Sequence, residues 1–309
     1  MLETRPKKVK IVEVGPRDGL QNEKTIISTE DKLKYIELLM DAGLDELEVT
    51  SFVRAPKIPQ MSDALELMAK LNQLKFKDKK IISLVPNLKG LEDAIASKVD
   101  HIAVFTSTSN SFNKKNINAT IEESLKRIEE VAKLSRAHQL KMRGYISTAF
   151  GCPYEGKTSI KEFISIANSL KQMGVYEISI GDTIGVANPL QVANFLDVIL
   201  DEFDPDFLAM HFHDSRGLAL ANILTSLEFG ITKFDASSGG LGGCPYAKGA
   251  AGNVATEDLV YFFESMGIDT GINLEKLMLA SKFILNKVGK VSTSKVFNYY
   301  KEQNASAIK

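Results

Sequence analysis

Two histidines separated by one residue form the strongest chemical signal in the chain. In Leu208-Ala209-Met210-His211-Phe212-His213-Asp214, strand geometry sends alternate side chains to opposite faces. Leu208, Met210 and Phe212 then share an apolar face, and Ala209, His211 and His213 share the other. Two imidazoles side by side at the end of a strand make a clamp for a divalent metal. Other strand-like runs carry charge as well. Glu13 lies in Val9–Gly15 with Arg17 and Asp18 just beyond it, and Glu48 lies inside Leu47-Glu48-Val49-Thr50. Arg143 falls in Lys141–Thr148, and Asp182 ends Glu177–Asp182. A carboxylate within an apolar strand is costly unless paired or functional. Taken alone, Arg17-Asp18 reads as an ordinary salt bridge; charge aimed inward or upward from several strands reads as a site.

The two cysteines, Cys152 and Cys244, sit in echoing tetrapeptides, Gly151-Cys152-Pro153-Tyr154 and Gly243-Cys244-Pro245-Tyr246. Two thiols are too few for a structural zinc site, and in a reducing compartment they do not suggest a disulfide. Cys244 follows Gly239-Gly240-Leu241-Gly242-Gly243, which reads as a mobile lid carrying a reactive thiol. Cys152 reads equally well as packing or as chemistry.

The elements that would hold these groups alternate regularly. Strands are expected at Val9–Gly15, Glu46–Phe52, Lys80–Val85, His101–Thr106, Lys141–Thr148, Glu177–Asp182, Phe207–His213 and Lys233–Ser237. Amphipathic helices are expected at Ser28–Ala42, Ser62–Leu74, Gly90–Ser97, Thr120–His138, Ser159–Met173, Pro189–Glu202, Leu218–Phe229 and Thr256–Met266. Strict alternation implies a parallel sheet with right-handed crossovers, and eight units favour a closed α/β barrel of the (β/α)8 TIM type. The expected layout is one catalytic domain over 1–309, with the barrel over about 8–268 and a short C-terminal helical extension over 273–309 that begins with a helix at Asn273–Val288. Chemistry in such a barrel belongs at the C-terminal ends of the strands.

Composition excludes several classes. Lys and Arg number 38 against 39 Asp and Glu, so there is no basic excess for nucleic acid or an anionic membrane surface. No apolar run is long enough to span a bilayer. The basic start lacks the apolar core of a secretory signal, and the last residues carry no peroxisomal address, so a cytoplasmic enzyme is expected.

The chain resembles the 3-hydroxy-3-methylglutaryl-CoA lyases. The resemblance rests on Val12–Lys24 (VEVGPRDGLQNEK), Thr50–Phe52, Lys114–Asn118, Arg143–Tyr145, Gly151–Gly156, Tyr176–Gly185, His211–Asp214 and Gly239–Leu259 (GGLGGCPYAKGAAGNVATEDL). The Arg-Asp pair is shared with a wider group of metal-dependent barrel lyases and Claisen synthases, whereas the loop with Cys-Pro-Tyr is specific to the lyases. The resemblance implies a small-molecule acyl-CoA substrate, a homodimer, and a place in leucine degradation and ketone-body formation. It implies a divalent cation, Mg²⁺ or Mn²⁺, held by Asp18, His211, His213 and Asn253. It also gives active-site roles to Glu13, Arg17, Glu48, Asp182 and Cys244. Arg17, Gln21 and Arg143 become candidates for substrate contact. In the retro-Claisen cleavage that follows, Arg17 would stabilise the enolate oxygen and Cys244 would protonate the enolate carbon. Asp182, His211 and Glu48 are all candidates for removing the hydroxyl proton. The chain departs from the family pattern at Ser215-Arg216-Gly217-Leu218, where many members have Thr-Tyr-Gly-Gln, and this leaves room for a longer-chain 3-hydroxyglutaryl-CoA. The nearest rival activity is a Claisen condensing synthase, which usually carries a longer C-terminal region.

Overall fold

The structure is a computed structural model that describes residues 6–53, 57–74, 78–243 and 252–306. Eight parallel strands close into a barrel in sequence order: β1 (Lys10–Glu13), β2 (Glu46–Ser51), β3 (Lys80–Leu84), β4 (His101–Ser107), β5 (Lys141–Ser147), β6 (Val175–Asp182), β7 (Leu208–Phe212) and β8 (Lys233–Ala236). β8 pairs with β1, with Lys10 opposite Lys233 and Glu13 opposite Ala236. Around the strands lie α1 (Thr29–Asp41), α2 (Ala64–Leu71), α3 (Leu88–Ala96), α4 (Asn110–Ile117), α5 (Ile121–Ala137), α6 (Ile160–Gln172), α7 (Pro189–Ile199), α8 (Ala219–Glu228) and α9 (Thr256–Ser265). The barrel expected from the alternation is therefore present. Among the described residues no helix is long and apolar enough to cross a membrane.

Local chemistry accounts for the boundaries. α5 begins with a capping box in which Thr120 and Glu123 satisfy each other's backbone N–H groups, and α7 begins with the same device from Asn188 and Gln191, with Pro189 at its first position. Each fills orphan donors that the first helical turn leaves open. Two helices were not anticipated. α4 is short and strongly polar, and lacks a clear apolar stripe. α11 (Lys295–Ser306) follows α10 (Leu274–Val288), so the C-terminal extension has two helices rather than one. α10 packs on α1 and on the turn that follows β8, and α11 packs on α9.

Strand parity divides the core in two. Leu47, Val49, Ile102, Val104, Ile178, Ile180, Leu208, Met210, Phe212 and Phe234 face the helices in the large outer core. Val12, Val14, Ile82, Leu84, Ala103 and Tyr145 form a separate inner cluster. The remaining inward positions are occupied by polar side chains, and these build the site.

Gly43 joins α1 to β2 with φ +102°, and a Cβ there would collide with the carbonyl oxygen of Gly271. Gly43→Ala is expected to destabilise the protein by more than about 1 kcal/mol. A lowered urea midpoint with an unchanged slope would register it.

Candidate active site

At the C-terminal end of the barrel, β1 does not run on into a loop. Val14 is followed by one π-helical turn, Gly15–Gly19, which presents Arg17 and Asp18 to the barrel axis. Across the mouth, β7 delivers His211 and His213 on its inner face, as its alternation predicts. Asp18, His211 and His213 each offer a ligand atom, and these atoms lie within 4.8 Å of one another. Burial pushes the Asp18 carboxyl up, but Arg17 and the two imidazoles outweigh it and bring it down to about 2. Burial, with help from His211, takes His213 down to about 4, so its imidazole is neutral near pH 7. Among the described residues His213 Nδ1 is buried without a hydrogen-bond partner, a costly state that suits a nitrogen able to take a metal. Asn253 adjoins the group: its Nδ2 donates to Asp18 Oδ2 at 2.8 Å, and its backbone forms a β-bridge with His213. A half-turn of that amide would present Oδ1 in its place. One carboxylate, two imidazoles and a nearby amide fit a divalent cation with mixed oxygen and nitrogen ligands.

Beneath this group lies a continuous buried network. Arg17 donates from Nε to Glu48 Oε2 at 2.7 Å and from Nη1 to Asp18 Oδ1 at 2.7 Å, and its Nη2 lies 2.6 Å from Glu48 Oε2. Tyr145 Oη donates to Glu48 Oε2 at 3.1 Å and accepts from Arg143 Nη1 at 2.7 Å. Arg143 also donates to Glu177 Oε1 and to Asp235 Oδ1, each at 2.7 Å. Asp235 Oδ2 meets Ser179 Oγ at 2.7 Å and His211 Nδ1 at 3.1 Å. Burial raises the Glu48 carboxyl despite Arg17, whereas Asp235 is held far below the usual range because Arg143 and His211 overcome its burial.

Above the network opens a cavity of about 670 Å³. Arg17, Asp18, Gln21, His211 and His213 line one part of it, and its apolar walls include Val85, Phe105 and Ile117. Lys57, Lys115 and Arg127 bring positive charge to its lining.

The HMGL-like family model matches residues 8–284. The cytoplasmic 3-hydroxy-3-methylglutaryl-CoA lyase of Rattus norvegicus is 50% identical over 291 residues, covering 94% of this chain and 84% of its own. The chain belongs to the HMGL-like family. Two solved structures agree. The HMG-CoA lyase of Bacillus subtilis superposes with a TM-score of 0.93 at 47% identity, covering 96% of this chain and 99% of the other. An HMG-CoA lyase from Acinetobacter baumannii, solved in complex with coenzyme A and 3-methylmalate, gives 0.89 at 36% identity and covers 94% of each chain.

Within this HMGL-like barrel the expected site residues separate by position. Arg17, Asp18, Gln21, His211 and His213 converge on the cavity, with Asn253 against Asp18. Gln21 Nε2 lies 3.4 Å from Asp18 Oδ1. Arg143 does not line the cavity: it is fully buried and engaged by Glu177, Tyr145 and Asp235. Glu48 is likewise sealed beneath Arg17. Glu13 and Asp182 face outward, because each is out of phase with the inward residues of its strand. Glu13 accepts from Gly15 N, Ser238 N and Thr256 Oγ1, and burial pushes its carboxyl up to about 8. Asp182 accepts from Val186 N and Ala187 N, fixing the turn after β6; its carboxyl is raised by burial. Both accept backbone N–H groups and lie off the cavity wall. Cys244 lies outside the described residues. Cys152 is buried, with Ser109 Oγ at 3.0 Å and the N–H groups of Tyr154 and Glu155 at 3.4 Å, which ties together the loops after β4 and β5.

The Ser215–Leu218 departure also lies off the cavity wall. Arg216 Nη1 donates to the carbonyls of Ile184 and Gly185 at 2.9 Å, bracing the turn after β6.

Sequence reasoning missed Asp235, Tyr145 and Ser179 as parts of the site. Asp235 carries the same signal as Glu48, an acidic residue inside a short buried strand. Lys115 escaped because its helix, α4, was not foreseen; Arg127 lies on a helix that was, but periodicity does not show which exposed cations border a cavity.

The glycine-rich segment after β8 is a fixed turn as far as Gly243. Gly239, Gly240 and Gly242 take positive φ, and Glu257 accepts from Gly239 N at 2.9 Å with both carboxylate oxygens. A Cβ on Gly242 would stand 2.7 Å from Asn253 Nδ2, which bonds Asp18. Gly242→Ala is expected to displace Asn253 and weaken divalent-metal binding roughly 10-fold or more, as disturbed supports of metal ligands do. Calorimetric titration with Mn²⁺ would measure the change.

Proposed function

We propose that the chain is a carbon–carbon lyase that cleaves 3-hydroxy-3-methylglutaryl-CoA into acetoacetate and acetyl-CoA, using Mg²⁺ or Mn²⁺. The observation that carries this reading is the Asp18, His211 and His213 group facing a cavity with apolar walls and cationic side chains, in a chain of this family. A short acyl head with a hydroxyl and a carboxylate suits the ligand group. The long pantetheine arm suits the apolar walls, and the phosphates of coenzyme A suit Lys57, Lys115 and Arg127.

The cation, held by Asp18, His211 and His213 with Asn253 beside them, would lower the pKa of the tertiary hydroxyl and organise it with the carboxylate. In the cleavage the hydroxyl loses its proton, the C2–C3 bond breaks, and its electron pair moves into the thioester as an enolate. Arg17 is held by Glu48 and Asp18 yet keeps one N–H on Nη1 and one on Nη2 beyond those contacts. These donors serve the enolate oxygen, and they are fixed before the charge develops. Of the three candidates for accepting the hydroxyl proton, Asp182 and Glu48 lie off the cavity wall. His211 would spend its free lone pair on the cation while its Nδ1 meets Asp235, so the proton leaves to water in the cavity. The Cys244 thiol returns a proton to the enolate carbon and completes acetyl-CoA.

Because Ser215–Leu218 does not line the cavity, it gives no reason to enlarge the acyl group beyond 3-hydroxy-3-methylglutaryl. The reading extends to a cytoplasmic homodimer, in keeping with the family resemblance; curated relatives carry both cytoplasmic and mitochondrial names.

The deciding assay follows acetoacetate from 3-hydroxy-3-methylglutaryl-CoA with chelator-stripped protein, before and after Mg²⁺ or Mn²⁺ is added. Release that depends on the metal is expected. No release with either ion, together with cleavage of a longer 3-hydroxyglutaryl-CoA or condensation of acetyl-CoA, would transfer the assignment to that reaction. Cys244→Ala is expected to lower kcat by about 10²–10⁴ with little change in KM, as for a lost proton donor. Wild-type turnover in that variant would remove Cys244 from the chemistry.

A further inference from the structure

Asp235 has no part in the reaction described above, yet it touches one of the proposed ligands. It sits in β8 directly opposite His211 of β7 in the strand register. It is buried and does not line the cavity, so it meets no substrate. Its Oδ1 accepts from Arg143 Nη2 at 2.7 Å. Its Oδ2 is approached by Arg143 Nη1 at 3.2 Å, Ser179 Oγ at 2.7 Å and His211 Nδ1 at 3.1 Å.

These contacts constrain the proton on His211. A carboxylate facing a guanidinium acts as an acceptor, so the hydrogen shared with His211 belongs to the imidazole. A neutral imidazole with hydrogen on Nδ1 has its lone pair on Nε2. We propose that Asp235 is a positioning residue for His211, fixing it as the Nδ1–H tautomer and turning a bare Nε2 toward Asp18 and His213. The proposal rests on the reading of those three residues as a metal site.

The surroundings hold Asp235 itself in place. Arg143 is fixed on its other side by Glu177 at 2.7 Å, and Glu177 is held by Lys233 at 2.8 Å. Tyr145 meets the His211 ring edge-on, with centroids 6.2 Å apart, which limits rotation of the imidazole. Among the described residues, His213 Nδ1 has no hydrogen-bond partner. The two imidazoles therefore differ, and of the pair only His211 would be oriented by a hydrogen bond before an ion arrives.

The test begins with metal-free wild-type protein labelled with ¹⁵N in its histidines, examined by long-range ¹H–¹⁵N correlation. Only four imidazoles contribute, and His211→Asn identifies the relevant one. The proposal expects a protonated Nδ1 and a bare Nε2 in His211. The opposite tautomer, or an averaged pair, would overturn it without need of any Asp235 variant. Asp235→Asn supplies an amide that can donate to Nδ1, so His211 should shift toward the Nε2–H form. Its Mn²⁺ affinity, measured by calorimetry on folded protein, should fall on the order of 10–100-fold. A variant with reduced thermal stability but unchanged tautomer and affinity would show a merely structural role and defeat the proposal. If wild-type protein bound no Mn²⁺, the metal reading would fail, while the tautomer would still decide what Asp235 does to His211.

Discussion

The pairing of Arg143 with Asp235 occupies the part of the barrel interior where many barrels place branched apolar side chains. Placing charges there is expensive, several kcal/mol for each ion even after the surroundings relax. The expense is offset only because each charge meets a partner in the network. Arg143 spans Asp235 and Glu177, Tyr145 bridges Arg143 to Glu48, and Glu48 holds Arg17. Removing a single member would strand its partner in a dry interior, a loss that commonly reaches about 3–5 kcal/mol. The open end depends on this arrangement, since Asp18 and His211 are attached to its two ends.

The interior is accordingly lopsided. Apolar side chains from β1, β3 and β4 fill one part of it, while β2, β5, β6, β7 and β8 supply the polar groups. The cavity opens across that boundary, so a substrate with a polar head and a thinner apolar arm meets matching surfaces. Outside the strands a second set of carboxylates works differently. Glu13 and Glu257 accept backbone N–H groups from the turn after β8, and Asp182 does so for the turn after β6. The walls of the site are thus held by side chains that lie off the cavity itself.

Much of this was legible in the residues. Alternating runs revealed the barrel, because buried parallel strands and amphipathic helices leave opposite periodicities. The parity of Leu208–His213 alone oriented both histidines correctly. Parity also explains which charged strand residues lie off the cavity. Glu13 and Asp182 lie in their strands as Glu48 does in its own, but in the opposite phase, and a four-residue strand such as β1 gives little pattern from which to fix that phase. Arg143 was read as interior, and that it turns to Asp235 rather than lining the cavity is something one-dimensional spacing does not reveal. Asp235 depended on the β7–β8 register, which is a property of barrel closure. The glycine-rich segment read as a mobile lid because glycine marks both flexible chain and left-handed turns, and the positive φ values at Gly239, Gly240 and Gly242 place its first part among the turns.

The closure of β1 against β8 has a consequence for how the protein comes into being. Asp18 emerges early from the ribosome, whereas His211, His213 and Asn253 emerge only after most of the barrel has been made. The turn that carries Gly242 needs Glu13 from the first strand and Glu257 from the last barrel helix. The full set is therefore present only once the last strand and its following turn have been made. Contacts spanning such sequence distances form late, after the entropy of closing long loops has been met. Competence to hold an ion would arise abruptly when the ring closes, and a nascent chain would pass through most of its synthesis chemically silent.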